Sequence, residues 1–357
     1  MNLTQAQIAE YVGVSRAAVS KWEKGQSYPD ITLLPKLANF FNTSIDALLG
    51  YKPQMTKEQI KQTYLQLSQQ FSQKSFEEVE SNIEKLLKEY YACFPFVLKM
   101  AQLYLNYVPK SPDQQKTLTR VIQLCTQIKS SSEDVSLINE AMLLEAIACL
   151  QLGRPEEVLE LLGSEIKNPL ETNQLIASAH QMLGNPYKAK EIIQVSYYQN
   201  LLQLISYATE SMMMELENGN YVDETITKIR QLIQLFEVEE LHFNSCLIFY
   251  YKAAVAFCLK GRLEEAMEML RLYVKLCTKI QFPIKIKGNE YFKLVTPWLE
   301  QISHIGLEAP RDEQSIKKDL VLLLHREPVF APLKEMNEFQ AMLVNLACHL
   351  KVEEVIK

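Results

Sequence analysis

Apolar residues recur along this chain at helical spacing and seldom in strict alternation. Ile8 and Val12 fall on one face of a first segment, with Ala9 beside them, and Val19 and Trp22 mark the apolar face of a second. Leu, Ala, Glu, Lys, Gln and Ile recur throughout, and the 357 residues include only 10 Gly. The pattern predicts an all-α protein with long helices and few tight loops. Pro53 ends the helical pattern of the first fifty residues. Thr56, with Gln59 three residues on, is a capping-box signature for the next helix. The chain therefore divides into a small head (residues 1–51), a connecting helix (52–70) and a helical body (71–357).

The head opens "LTQAQIAEYVGVSRAAVSKWEKG". Thr4 sits where a hydroxyl caps a helix by accepting a free N–H one turn in, and Ser15 holds the same place before the second segment. Gly13 falls where a sharp turn requires positive φ. Ala9, Gly13 and Val19 have the spacing of a helix-turn-helix. The small residue lets two helices approach, the glycine turns the chain, and the branched residue packs between them. The outward positions of the second helix are short or polar, which an unrelated helical hairpin does not explain.

From Leu3 to Gly50 the segments "LTQAQIAEYVGVS", "SKWEKG", "SYPD", "LLPKLANFF" and "SIDALLG" follow in order, and this stretch resembles the XRE/Cro type of helix-turn-helix. The resemblance implies that the second helix lies in the major groove of a double-stranded DNA operator. Base-facing positions then fall on Arg16, Ala17, Ser20 and Lys21. Arg16 suits a bidentate contact to guanine, and Ala17 offers only a methyl. Gln5 matches a phosphate-contacting position, and Lys24 is expected to meet the DNA backbone. Thr4 and Ser15, at the two helix starts, complete the expected DNA-binding set. Trp22 reads as core. Glu23 reads as a group that orients its neighbours, since it would repel phosphate. Members of this family carry a further helix ahead of the Leu-Thr-Gln, whereas here only Met1 and Asn2 precede Leu3. That helix buries roughly three apolar side chains at about 1.5–3 kcal/mol each. The sum is comparable with the whole stability of a small domain, about 5–15 kcal/mol. The expectation is a native start upstream, which we favour, or a head weakened by the missing helix.

In the body, four segments share one punctuation: "CLQLGRPEEVLELL", "QMLGNPYKAKEII", "LENGNYVDETITKI" and "CLKGRLEEAMEML". Their glycines, Gly153, Gly184, Gly219 and Gly261, are 31, 35 and 42 residues apart. A unit of two helices with glycine at the inner turn resembles the tetratricopeptide repeat. Met212 and Glu224 depart from its small-residue positions. Such units stack because no pair can bury its apolar face alone. A helix-turn-helix head on such an array resembles the cytoplasmic regulators of Gram-positive bacteria that sense short peptides. That resemblance implies a homodimer and a peptide or protein effector held by the repeats. The repeat register places Gln174, Ser178, Gln181, Thr209, Met213 and Tyr251 on the effector-facing side.

Charge localises the DNA contact. The net charge is -6, yet residues 1–52 carry five basic and four acidic groups. The body is therefore acidic, and nucleic acid can be drawn only to the front. The seven Cys form no CxxC pair and read as small core hydrophobes in a reducing compartment. No apolar run of transmembrane length occurs, so a cytoplasmic protein without a membrane partner is expected. No phosphate loop, GxSxG or HExxH is present. His242 and Cys246 stand one helical turn apart, but two ligands do not make a metal site. The expectation is a protein that is not an enzyme and uses neither cofactor nor metal.

Overall fold

The computed structural model describes residues 4–49, 54–165, 172–302 and 307–352, without the side chain of Ala47. Their regular structure is helical, apart from one antiparallel bridge between Lys285 and Glu308. The all-α architecture of a helix-turn-helix head followed by a helical, repeat-like body is the one read from the sequence.

The head contains α1 (Gln5–Val12), α2 (Arg16–Glu23), α3 (Leu34–Phe40) and α4 (Ile45–Leu48). Thr4 and Gln7 form a capping box at the start of α1. Gly13 ends α1 at φ 82°, and its N–H donates to the Ala9 carbonyl at 3.0 Å. Ile8, Ala9, Val12, Val19 and Leu37 make the small core, with Trp22 packed against it. The turn chemistry and core positions are those the spacing predicts.

The body begins with α5 (Lys57–Gln70), α6 (Phe76–Glu89), α7 (Phe94–Tyr107), α8 (Gln114–Ser131) and α9 (Val135–Gln151). Together they enclose a first core that includes Tyr64, Ile83, Phe96, Tyr104 and Val121. Helix α5, set apart in the sequence as a connector, buries Ile60, Tyr64 and Leu67 in this core. The described end of the head-to-body link is also docked. Gln54 Nε2 donates to the Ala92 carbonyl at 3.1 Å, and Met55 N–H to Cys93 Sγ at 3.4 Å.

The chain continues through α10 (Pro155–Leu162), α11 (Thr172–Met182) and α12 (Pro186–Met214). Next come α13 (Gly219–Leu235), α14 (Val238–Leu241), α15 (Phe243–Leu259) and α16 (Leu263–Lys279). The last helices are α17 (Val295–Ile302), α18 (Glu313–Arg326), α19 (Ala331–Lys334) and α20 (Asn337–Leu350). A second core runs from the latter half of α12 to the end of α20. Between the cores the body is thin: α10 fully buries no residue and α11 only Ala177. Gly153, Gly184 and Gly261 turn between helices with positive φ, as their spacing suggests. The repeat pattern changes at α12. Two-helix units predict a break between Ala189 and Met212, whereas α12 runs unbroken for 29 residues, about 43 Å at the usual helical rise. It acts as the second helix of one pair and the first of the next.

On either side of α17, between α16 and α18, the chain leaves the helical pattern. Its two arms pair through Ile286 N–H to Leu307 O at 2.9 Å and Ala309 N–H to Ile284 O at 3.1 Å. The outgoing arm turns at Gly288, where a Cβ would lie 2.0 Å from the Phe292 carbonyl oxygen, so only glycine fits. Phe292 is fully buried among Tyr197, Tyr198 and Phe236. The returning arm reaches the first core: Tyr64 donates to the Pro310 carbonyl at 2.9 Å, and Tyr107 to Asp312 Oδ2 at 2.8 Å. The two cores are thus clamped together across more than two hundred residues of chain.

His242 caps α15, its Nδ1 accepting from Ser245 N–H at 3.3 Å. Burial lowers the His242 pKa below the ordinary 6.5. The folded state then resists a proton that the unfolded chain accepts, so stability present above pH 6.5 is lost as pH falls through the folded-state value. Urea unfolding across about pH 5 to 7.5 should show a loss of stability on acidification that His242→Asn, which keeps a capping side chain, makes shallower. Equal slopes in the two proteins would contradict this.

Candidate nucleic-acid interface and body cavity

Helix α2 is built to be presented. Ser15 Oγ accepts from Ala18 N–H at 3.2 Å and so satisfies one of the free donors at the helix start. Val19 faces the core at 2% exposure, which turns the opposite side of the helix outward. Arg16, Ala17, Ser20, Lys21 and Lys24 lie at steps that line one stripe of a helix and its C-terminal cap. Arg16, Ala17, Lys21 and Lys24 are exposed and Ser20 half-buried. Arg16, Lys21 and Lys24 form no ion pair among the described residues. Gln5, at the start of α1, donates its amide to Glu23 Oε2 at 2.6 Å. This bond ties the start of α1 to the end of α2 and gives Glu23 the orienting role expected of it. Thr4 is committed within its capping box: it accepts from Gln7 N–H at 3.4 Å and donates to Gln7 Oε1 at 3.0 Å. Tyr28, in the loop after α2, is 90% exposed. The "SYPD" motif was its only sequence signal.

On α2 and its C-terminal cap the basic side chains Arg16, Lys21 and Lys24 are exposed and make no ion pair among the described residues. A helix-turn-helix family profile matches residues 1–48. The chain carries an N-terminal helix-turn-helix domain. The HTH-type transcriptional activator BcrR of Enterococcus faecalis is 51% identical over 49 residues, which cover 14% of this chain and 24% of that protein. The cryptic phage CTXphi transcriptional repressor RstR of Vibrio cholerae is 40% identical over 50 residues, covering 14% of this chain and 45% of that protein. The chain thus spans less than half the length of either relative, and the likeness is confined to the head. No solved structure matches the chain.

In the body, Gln174, Ser178 and Gln181 of α11 line one cavity of about 690 Å³. Ala177 and Ala189 line it too, together with Ile193 and Gln194 of α12 and Lys293 and Leu294 from the arm before α17. Lys190, Lys293 and Leu294 carried no signal in the sequence, because their approach to α11 is made by tertiary folding. The other three expected effector residues lie elsewhere. Thr209 is buried and donates to the Ile205 carbonyl at 2.7 Å. Met213 packs against the second core, and the Tyr251 hydroxyl donates to Glu327.

Cys93, Cys125, Cys149, Cys246, Cys258 and Cys277 are buried and Cys348 is exposed. Burial pushes the Cys246 and Cys277 thiols up to about 12, so they remain protonated core groups at neutral pH. Among the described residues no three His, Cys, Asp or Glu side chains gather as a metal site, and no helix is long and apolar enough to cross a membrane.

The cap on α2 is testable by itself. Ser15→Ala should lower the stability of the head by about 0.5–2 kcal/mol, and Ser15→Asp, which also caps, should recover most of it. The check is head unfolding followed by Trp22 fluorescence; a Ser15→Ala head that melts like the original would contradict the assignment.

Proposed function

We propose that this chain is a sequence-specific, DNA-binding transcriptional regulator acting as a homodimer in the bacterial cytoplasm. Its helical body pairs two copies and responds to a peptide or protein effector. The observation that carries the reading is the exposed, unpaired row Arg16, Ala17, Ser20, Lys21 and Lys24 on a capped α2. It is supported by likeness to two proteins named as transcriptional regulators, one an activator and one a repressor.

In this reading Arg16, at the first turn of α2, meets base edges and Lys24 meets the phosphate backbone. One head offers few cations, so tight binding needs two heads on neighbouring half-sites. The body supports such pairing. Leu143, Ile147 and Leu150 expose an apolar row on α9, and Leu175, Ile176 and Leu183 another on and after α11. The α11–α12 cavity supports the effector reading. Its amides and hydroxyl suit a peptide backbone, and its Ala and Ile floor suits an apolar side chain. The effector acts through a difference in affinity for two arrangements of the body. The repeats are tetratricopeptide-like in this reading, with positive-φ glycines between paired helices.

The same exposed apolar rows also favour a second reading, a protein-interaction scaffold whose head is vestigial. Selection of DNA sites followed by gel shift at several salt concentrations separates the two. The regulator reading expects a specific site. Arg16→Ala should weaken it by about 1–3 kcal/mol and relax preference at one base. Lys24→Ala should weaken all sequences alike and reduce the salt slope by about 1. Recovery of no preferred site would favour the scaffold.

A further inference from the structure

We propose that the two described arms between α16 and α18, residues 280–302 and 307–312, form a tie that couples the α11–α12 cavity to α5 and α7 of the first core. The proposal rests on the regulator reading only for what fills the cavity; the coupling belongs to the chain itself.

One end of the tie is the cavity wall. Lys293 and Leu294 line the space opposite Gln174, Ser178 and Gln181. Gln194 grips this wall from α12, donating to the Tyr291 carbonyl at 3.1 Å and accepting from Leu294 N–H at 3.0 Å. A group that enters between α11 and α12 therefore pushes on Leu294 or competes for Gln194.

The middle of the tie is stiff. Gly288 admits no side chain, its N–H donates to Thr296 Oγ1 at 2.8 Å, and Phe292 is fully buried. The paired backbone at Ile284, Ile286, Leu307 and Ala309 joins the outgoing arm to the returning one. A shift at Tyr291–Leu294 thus reaches residues 309–312 through the bridge.

The other end is a polar latch on the first core. Tyr107 donates to Asp312 Oδ2 at 2.8 Å and accepts from Asp312 N–H at 2.9 Å, and Tyr64 holds the Pro310 carbonyl. A cavity of about 350 Å³, lined in part by Ser68, Gln69, Pro283, Arg311 and Asp312, runs along this seam. Helix α7 ends at Tyr107, and Cys93 just before its start holds Met55 of the link to the head. The latch and the docked residues 54–55 therefore sit at opposite ends of one helix. The thin α10–α11 region offers little competing contact between the cores.

Coupling of this kind is reciprocal: what loosens one end loosens the other. Amide hydrogen exchange on the full chain tests it, with no DNA or effector present. Ser178→Trp fills the cavity and should speed exchange in residues 309–316 about tenfold. Tyr107→Phe removes the latch hydroxyl while keeping the ring, and should speed exchange in residues 291–296 to a similar degree, about tenfold. Glu210→Trp, exposed on α12 outside the cavity, should change neither. If Tyr107→Phe does not fold, Tyr64→Phe takes its place with the same expectation. Faster exchange at 309–316 in the Tyr variant with 291–296 unchanged overturns the proposal, as does a Ser178→Trp protein with native exchange at the latch. Loss of coupling would leave the DNA reading untouched. Coupling in a chain that selects no DNA site would sink the regulator reading and leave the tie standing.

Discussion

The arrangement of the body depends on one buried phenol. The Tyr107 hydroxyl donates to the Asp312 carboxylate, accepts from the Asp312 N–H and meets Ser68 Oγ at 2.8 Å. Its ring stacks on Phe71 at 4.1 Å, and the Arg311 guanidinium lies over the ring at 5.6 Å. Burial raises the phenol's pKa well above its ordinary value, so it stays a protonated donor at any physiological pH. Asp312 is committed twice, since it also caps α18 through Ser315 N–H at 2.9 Å. A hydrogen bond to a charged group contributes about 1.5–3 kcal/mol, and a buried partner left unpaired loses more. The contact joins residues 205 apart. That separation is no obstacle, because the entropy cost of closing a loop grows only with the logarithm of its length.

This clamp explains why a body with so thin a waist has a defined shape. Helices α10 and α11 bury almost nothing fully, so they add little apolar contact between the first and second cores. The unbroken α12 runs from its pairing with α11 into the second core, and the returning arm of the tie bonds the first core at Tyr64 and Tyr107. A regular array of two-helix units would spread this work over every interface. Here it is concentrated in one long helix and one latch, and concentrated contacts are the ones that switch between discrete states.

The head was legible in the sequence because everything that makes it is local. Thr4 with Gln7, Gly13 after Ala9, and Ser15 before Ala18 are pairs within four residues, and each does in the structure what its spacing implies. The paired helices of the body were legible for the same reason, through glycines at the inner turns. The tie was not. Gly288 is required by a backbone oxygen four residues away in a non-repeating turn, and Tyr64 and Tyr107 find partners only after the chain has folded back. The effector-facing set divides along the same line. Gln174, Ser178 and Gln181 share one face of a single short helix, and that geometry survives folding. All six were placed by the same repeat register; Thr209 and Met213 lie where α12 runs into the second core, and Tyr251 lies on α15.

Charge completes the division of labour between head and body. Five basic groups stand against four acidic ones in residues 1–52, while the chain as a whole carries -6. One head therefore gains little from counterion release, and the acidic body is repelled by the same phosphates the head must meet. Under these constraints affinity is governed by geometry. In the proposed dimer, two weak heads held at the spacing of successive major grooves bind as one strong unit, and the gain vanishes when the spacing is wrong.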